Sequence, residues 1–171
     1  MNYPGRIYLV GYMGSGKSTT GKRLASKLNY RFVDLDRLIE STYKTSIPLL
    51  FEKYDEHAFR LLEQSALKNT LTGTRTVIAT GGGAPCFFDN MDVMNRNGFT
   101  IYLKMTPGAL AYRLKHARKR RPLLENINEA ELQEHISHNL EEREKYYKKA
   151  QLIVDAHDDV SEKILAALAP L

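Results

Sequence analysis

An α/β fold, with a mainly parallel sheet covered by helices on both faces, is predicted by three observations. Short apolar runs alternate with helix-patterned segments along the chain, a glycine-rich loop joins the first run to the first helix, and at least one inner run, Thr76-Val77-Ile78-Ala79, reads as a strand buried on both sides. With 171 residues, 43% hydrophobic and 26% charged, the chain is long enough for one well-buried core and short for two domains.

The elements follow in order. Ile7-Tyr8-Leu9-Val10 is the first strand, and Ser18 to Leu28 the first helix, with Leu24, Ala25 and Leu28 at helical spacing and Asn29 closing it. Tyr30-Arg31-Phe32-Val33 is a second strand ending in Asp34-Leu35-Asp36, and Arg37 to Tyr43 a helix. Ser46 as cap and Pro48 in the first turn start a helical stretch to about Leu71, broken near Tyr54-Asp55. That stretch is long for a crossover and reads as a substrate-binding insertion. Thr76 to Ala79 and Phe99 to Leu103 are strands three and four, and a helix capped by Thr106 follows with Pro107 in its first turn. A basic region from about Lys115 to Asn128 precedes a long helix to about Lys149, then strand Leu152-Ile153-Val154 and a closing helix from Val160 to Leu168. Ligands of such a sheet sit outside the carboxyl ends of its strands.

Composition narrows the function classes. A single cysteine, Cys86, excludes an intramolecular disulfide and a cysteine-built metal site. The N-terminus lacks an export pattern, and no run approaches the roughly 18 apolar residues of a membrane span; a soluble, cytoplasmic protein without a membrane partner is the expectation. The net charge of +5 suits anionic small molecules as well as nucleic acid. Between Arg113 and Arg121 six of nine residues are Lys or Arg, yet no aromatics are interleaved to stack bases, so nucleic acid is not expected as a partner.

The chemistry starts at Gly11-Tyr12-Met13-Gly14-Ser15-Gly16-Lys17-Ser18, placed between a strand and a helix. Its glycines let the chain bend around a phosphate with N–H groups inward, and the helix that begins near Lys17 adds its positive end. Lys17 suits the β and γ phosphates and Ser18 offers a hydroxyl to Mg²⁺. Asp34 and Asp36, two residues apart, face one side if strand geometry persists, which suits one carboxylate near Mg²⁺ and another on an acceptor hydroxyl; either could instead cap the next helix. Arg60 and Glu63 share a helix face, a spacing that ordinarily gives a solvated pair. Gly81-Gly82-Gly83 admits close approach to a ligand or simply a tight turn. The basic segment is either a solvated loop or a lid that closes over phosphates.

Taken together, Gly11 to Thr19, Asp34-Leu35-Asp36, Phe59-Arg60-x-x-Glu63, the triple glycine, Arg121-Pro122-Leu123-Leu124 and Glu142-Arg143-x-x-x-Tyr147 resemble the shikimate kinase family over nearly the whole chain. The resemblance implies a nucleoside-monophosphate-kinase-like fold: a three-layer α/β sandwich with a five-stranded parallel sheet in the order 2-3-1-4-5. It further implies a single kinase domain over 1–171, with a substrate-binding insertion at about 34–63 and a lid at about 113–126. ATP would be bound by Gly14, Ser15, Gly16, Lys17, Ser18, Thr19 and Arg121, with Arg113 near the adenine. Shikimate would be held by Asp36, Arg60, Gly82 and Arg143. Mg²⁺ would be held by Ser18 directly and by Asp34 through water, and Lys17, Asp36 and Arg121 would carry catalysis in a monomer. A kinase for another small polyol acid, such as gluconate, is the runner-up. Many family members carry Gly-Glu just before the Phe-Arg pair, where this chain has Asp55-Glu56-His57-Ala58; the change alters the helix entry and leaves the charges in place.

Overall fold

A computed structural model describes residues 3–117 and 128–169. Five strands form one parallel sheet in the order β2-β3-β1-β4-β5: β1 Arg6–Val10, β2 Arg31–Asp34, β3 Thr76–Ala79, β4 Phe99–Lys104 and β5 Leu152–Asp155. The three inner strands are almost continuously buried, and the edge strands β2 and β5 are only half covered. This is the pattern of a sheet with helices on both faces.

The helices are α1 Lys17–Leu28, α2 Leu35–Tyr43, α3 Ile47–Lys53, α4 Glu56–Asn69, α5 Asn90–Asn97, α6 Pro107–Lys115, α7 Glu129–Tyr147 and α8 Ser161–Leu168. Their ends follow local chemistry. Asn29 closes α1 in the left-handed region, the Thr106 hydroxyl accepts from Ala109 N, and Asn128 with Glu131 forms a reciprocal capping box at α7. Ser46 holds the cap position of α3 but its side chain makes no cap bond; Glu40 Oε1 accepts from Ile47 N instead, at 3.1 Å. Asp55, which stands near the position of the family's glycine, caps α4 by accepting from Ala58 N at 2.7 Å. Helix α5 is not predicted by the sequence pattern. Three glycines, a short 3-10 turn at Ala84–Cys86 and polar residues obscure its start.

Register brings the functional loops together. Leu9 lies beside Ala79, and Ala79 beside Asp34, so the chain leaves β1, β3 and β2 at one edge of the sheet. Thr80 fastens the first two exits through its N–H and hydroxyl, both donating to Leu9 O at 3.1 Å.

Candidate active site

The loop after β1 wraps around the start of α1. Gly14 and Gly16 have φ of 84° and 92°, a conformation that other residues adopt only under strain. Lys17 is 8% exposed, and its ammonium donates to the carbonyls of Gly11 and Tyr12, each at 2.8 Å. The Ser18 hydroxyl donates to Asp34 Oδ2 at 2.6 Å, and Asp34 Oδ1 accepts from Arg37 N at 3.3 Å. Asp34 therefore caps α2, one of the alternatives the sequence left open, and with its other oxygen it holds the loop serine.

Strand geometry does not persist to Asp36. The strand ends at Asp34, and Asp36 sits in the first turn of α2, where the helix dipole favours a carboxylate. A helical turn, and not the alternation of a pleat, sends Asp36 toward Gly81. Burial, and next the neighbouring Asp34, raise its pKa; Lys17 and Arg60 pull it back.

The triple glycine is packed by charge. A Cβ at Gly81 would come within 2.6 Å of Glu63 Oε1 and 2.8 Å of Asp36 Oδ1, and one at Gly83 within 2.6 Å of both Arg60 terminal nitrogens. These glycines are required by close approach, since φ at Gly83 is an ordinary −84°. Arg60 and Glu63 are not a solvated pair: they are 8% and 1% exposed, and Nη1 donates to Glu63 Oε2 at 2.8 Å. Glu56 accepts a second bond from Arg60 at 3.2 Å, and the Phe87 ring lies 4.2 Å beneath the guanidinium. Burial raises the pKa of Glu63, with Arg60 opposing it most strongly.

Arg143 reaches the same place from α7. Its guanidinium stands 5.5 Å from the Tyr12 ring, and its charge acts on Glu63 and on Cys86. Cys86 is half-buried, and burial pushes its thiol up to about 11, so it is neutral at physiological pH. Arg113 donates to the carbonyls of Ala156 and His157 at 3.2 and 2.8 Å, joining α6 to the segment after β5. Arg121 and most of the expected lid lie outside the described residues.

One cavity of about 470 Å³ spans the two halves, lined by Gly14, Lys17, Ser18 and Thr19 on one side and by Asp36 and Gly82 on the other. Sequence reasoning missed the depth of Glu63 and the contact of Tyr147 with Gly82. The i to i+4 spacing of Arg143 and Tyr147 was the available sign of the latter.

The model of the family described as "Shikimate kinase" matches residues 13–169. A shikimate kinase of Bacteroides thetaiotaomicron is 44% identical over 153 residues, covering 90% of this chain and 87% of that protein. The crystal structure of a shikimate kinase from the same species superposes with a TM-score of 0.92 at 42% identity, covering 98% of this chain and 99% of the other. The Acinetobacter baumannii shikimate kinase in complex with shikimate gives a TM-score of 0.87 at 32% identity, covering 97% and 93%.

Proposed function

Because the chain belongs to the shikimate kinase family, we propose that it phosphorylates the 3-hydroxyl of shikimate with ATP, giving shikimate 3-phosphate and ADP for chorismate and aromatic amino-acid synthesis. The observation that carries this reading is a cavity in which a phosphate loop faces Asp36 and Gly82, with Arg60 packed beside the same triple glycine. Phosphoryl transfer asks little covalent chemistry of a protein, so positioning and charge neutralisation are the tasks to assign.

Lys17, already held over the loop by two carbonyls, binds the β and γ phosphates, and Gly14, Ser15, Gly16 and Thr19 surround them. Asp36 orients the attacking hydroxyl and accepts its proton. Arg60 and Arg143 hold the acceptor carboxylate, a planar anion that suits their forked donors. The backbone at Gly82 contacts the ring hydroxyls, Arg113 stands near the adenine, and Arg121 completes the charge around the phosphates. Water is excluded by the lid at about 113–126, within one kinase domain whose acceptor insertion is at about 34–63. The working unit is a cytoplasmic monomer.

Mg²⁺ fits the donors present. Ser18 and Asp34 supply hard oxygens, and a hydroxyl that donates to a carboxylate keeps lone pairs for a cation. Such an ion ordinarily takes its remaining ligands from phosphates and water. When bound it neutralises phosphate charge.

The decisive experiment is a panel of hydroxy acids, including gluconate, offered with ATP and Mg²⁺ and compared by kcat/KM. Shikimate should lead the panel, with ADP released in step with shikimate 3-phosphate. A better rate with gluconate would replace the substrate and keep the reaction class. Gly83→Ala should raise the shikimate KM by about tenfold or more, since the new methyl displaces Arg60, while the KM for ATP moves less than about twofold. Steady-state kinetics with each substrate varied in turn will check it.

A further inference from the structure

Tyr147 has no part in the reaction as assigned above, yet its side chain ends at the acceptor site. It is completely buried in the last turn of α7, and its ring packs on Tyr102 of β4 with centroids 5.2 Å apart. Its hydroxyl donates to Gly82 O at 2.6 Å, joining residues 65 apart in sequence. Burial holds the phenol protonated, so it is a donor at any working pH. Arg143 lies one turn earlier on the same face, and its guanidinium acts on Tyr147 both through its charge and through a side-chain hydrogen bond.

The peptide that receives this bond links Gly82 to Gly83. Glycine on both sides makes its plane among the easiest in the chain to rotate. Bulk cannot restrain it, because a Cβ at Gly83 would meet Arg60 at 2.6 Å and one at Gly82 would stand 3.3 Å from Met13 N. A hydrogen bond restrains it without adding atoms to the crowded side. Fixing the carbonyl also fixes the N–H of Gly83, since a trans planar peptide holds the two on opposite sides.

We propose that Tyr147 is a positioning residue for the acceptor: its hydroxyl fixes the Gly82 carbonyl, and so the Gly82 backbone assigned above to the ring hydroxyls, and ties it to the helix carrying Arg143. The ring contacts and one carboxylate clamp then stand in fixed relation. The inference rests on the shikimate reading given above.

Tyr147→Phe keeps the ring and removes only the hydroxyl. The shikimate KM should rise about tenfold, from loss of the bond to the buried Gly82 carbonyl together with the contact to Arg143, with kcat and the calorimetric affinity for ADP each within about twofold of the parent. A merely structural hydroxyl would lower the melting temperature and leave the shikimate KM where it was, which overturns the proposal. Equal weakening of ADP and shikimate overturns it too, because the bond would then serve the whole fold. In a double-mutant cycle with Arg143→Lys, the combined rise in KM should be smaller than the product of the single rises; a full product would break the tie between peptide and helix. Parent enzyme that fails to phosphorylate shikimate sinks the substrate reading itself, whereas active parent with an unaltered Phe variant sinks only the role of Tyr147.

Discussion

Asp36→Asn should lower turnover by about 10²–10⁴-fold while the affinity for ADP stays within about twofold. The carboxylate lies against Gly81, near Glu63 and within the influence of Lys17 and Arg60, and in the proposed reaction it is the group that would take the proton of the attacking hydroxyl. Burial and the adjacent Asp34 hold its pKa above the ordinary carboxylate value of about 3.9. The acid limb of kcat/KM should accordingly fall above that value, as protonation removes the base, and the variant's residual activity should lose that limb.

Stability moves the other way. A carboxyl whose folded pKa is raised contributes stability that is complete below the unfolded pKa and is lost as pH rises through the folded one. Asparagine has no such proton to lose, so the variant should melt higher than the parent at neutral pH, and the gap should close on acidification. A variant that melts lower and loses ADP affinity together with turnover would make Asp36 a structural residue.

Arg60→Met should destabilise the fold by about 3–5 kcal/mol, the usual consequence of stranding one member of a buried ion pair. Glu63 is 1% exposed, and Arg60 is the strongest influence opposing the effect of burial on it. With that cation gone the folded pKa of Glu63 climbs further above its unfolded value, so the deficit should grow with rising pH and shrink toward the unfolded value of about 4.3. Urea denaturation across a pH series measures it. Pairing the change with Glu63→Gln removes the stranded charge and should restore part of the stability. Both Arg60 variants should show a raised shikimate KM. A double variant no more stable than Arg60→Met would mean that lost packing on Phe87, and not the orphaned carboxylate, sets the cost.

The sheet was legible because its inner strands are apolar runs punctuated by glycine, and helix caps such as Asn29 and Thr106 declare themselves by type. The loop between β1 and α1 was equally readable, because the glycines of Gly11–Ser18 mark the turn from strand into helix that the structure shows. Asp36 was named for the right region with the wrong local geometry: pairing with β3 stops at Asp34, and a sequence does not display where a ladder stops. Glu63 looked like half of a surface pair because three-residue spacing says nothing of what covers the helix. The contacts of Gly81 and Gly83 depend on α2 and α4 meeting across the loop, which is tertiary information throughout.

Asp34 occupies a junction, one oxygen on the Ser18 hydroxyl and the other on the backbone of α2, the helix whose first turn bears Asp36. On the proposed assignment, whatever draws Ser18 toward a nucleotide pulls on the helix that bears Asp36. Thermodynamics makes such a pull mutual: the factor by which ATP tightens shikimate must equal the factor by which shikimate tightens ATP. Asp34→Ala should bring that shared factor closer to one, measured as the shikimate affinity with and without bound nucleotide.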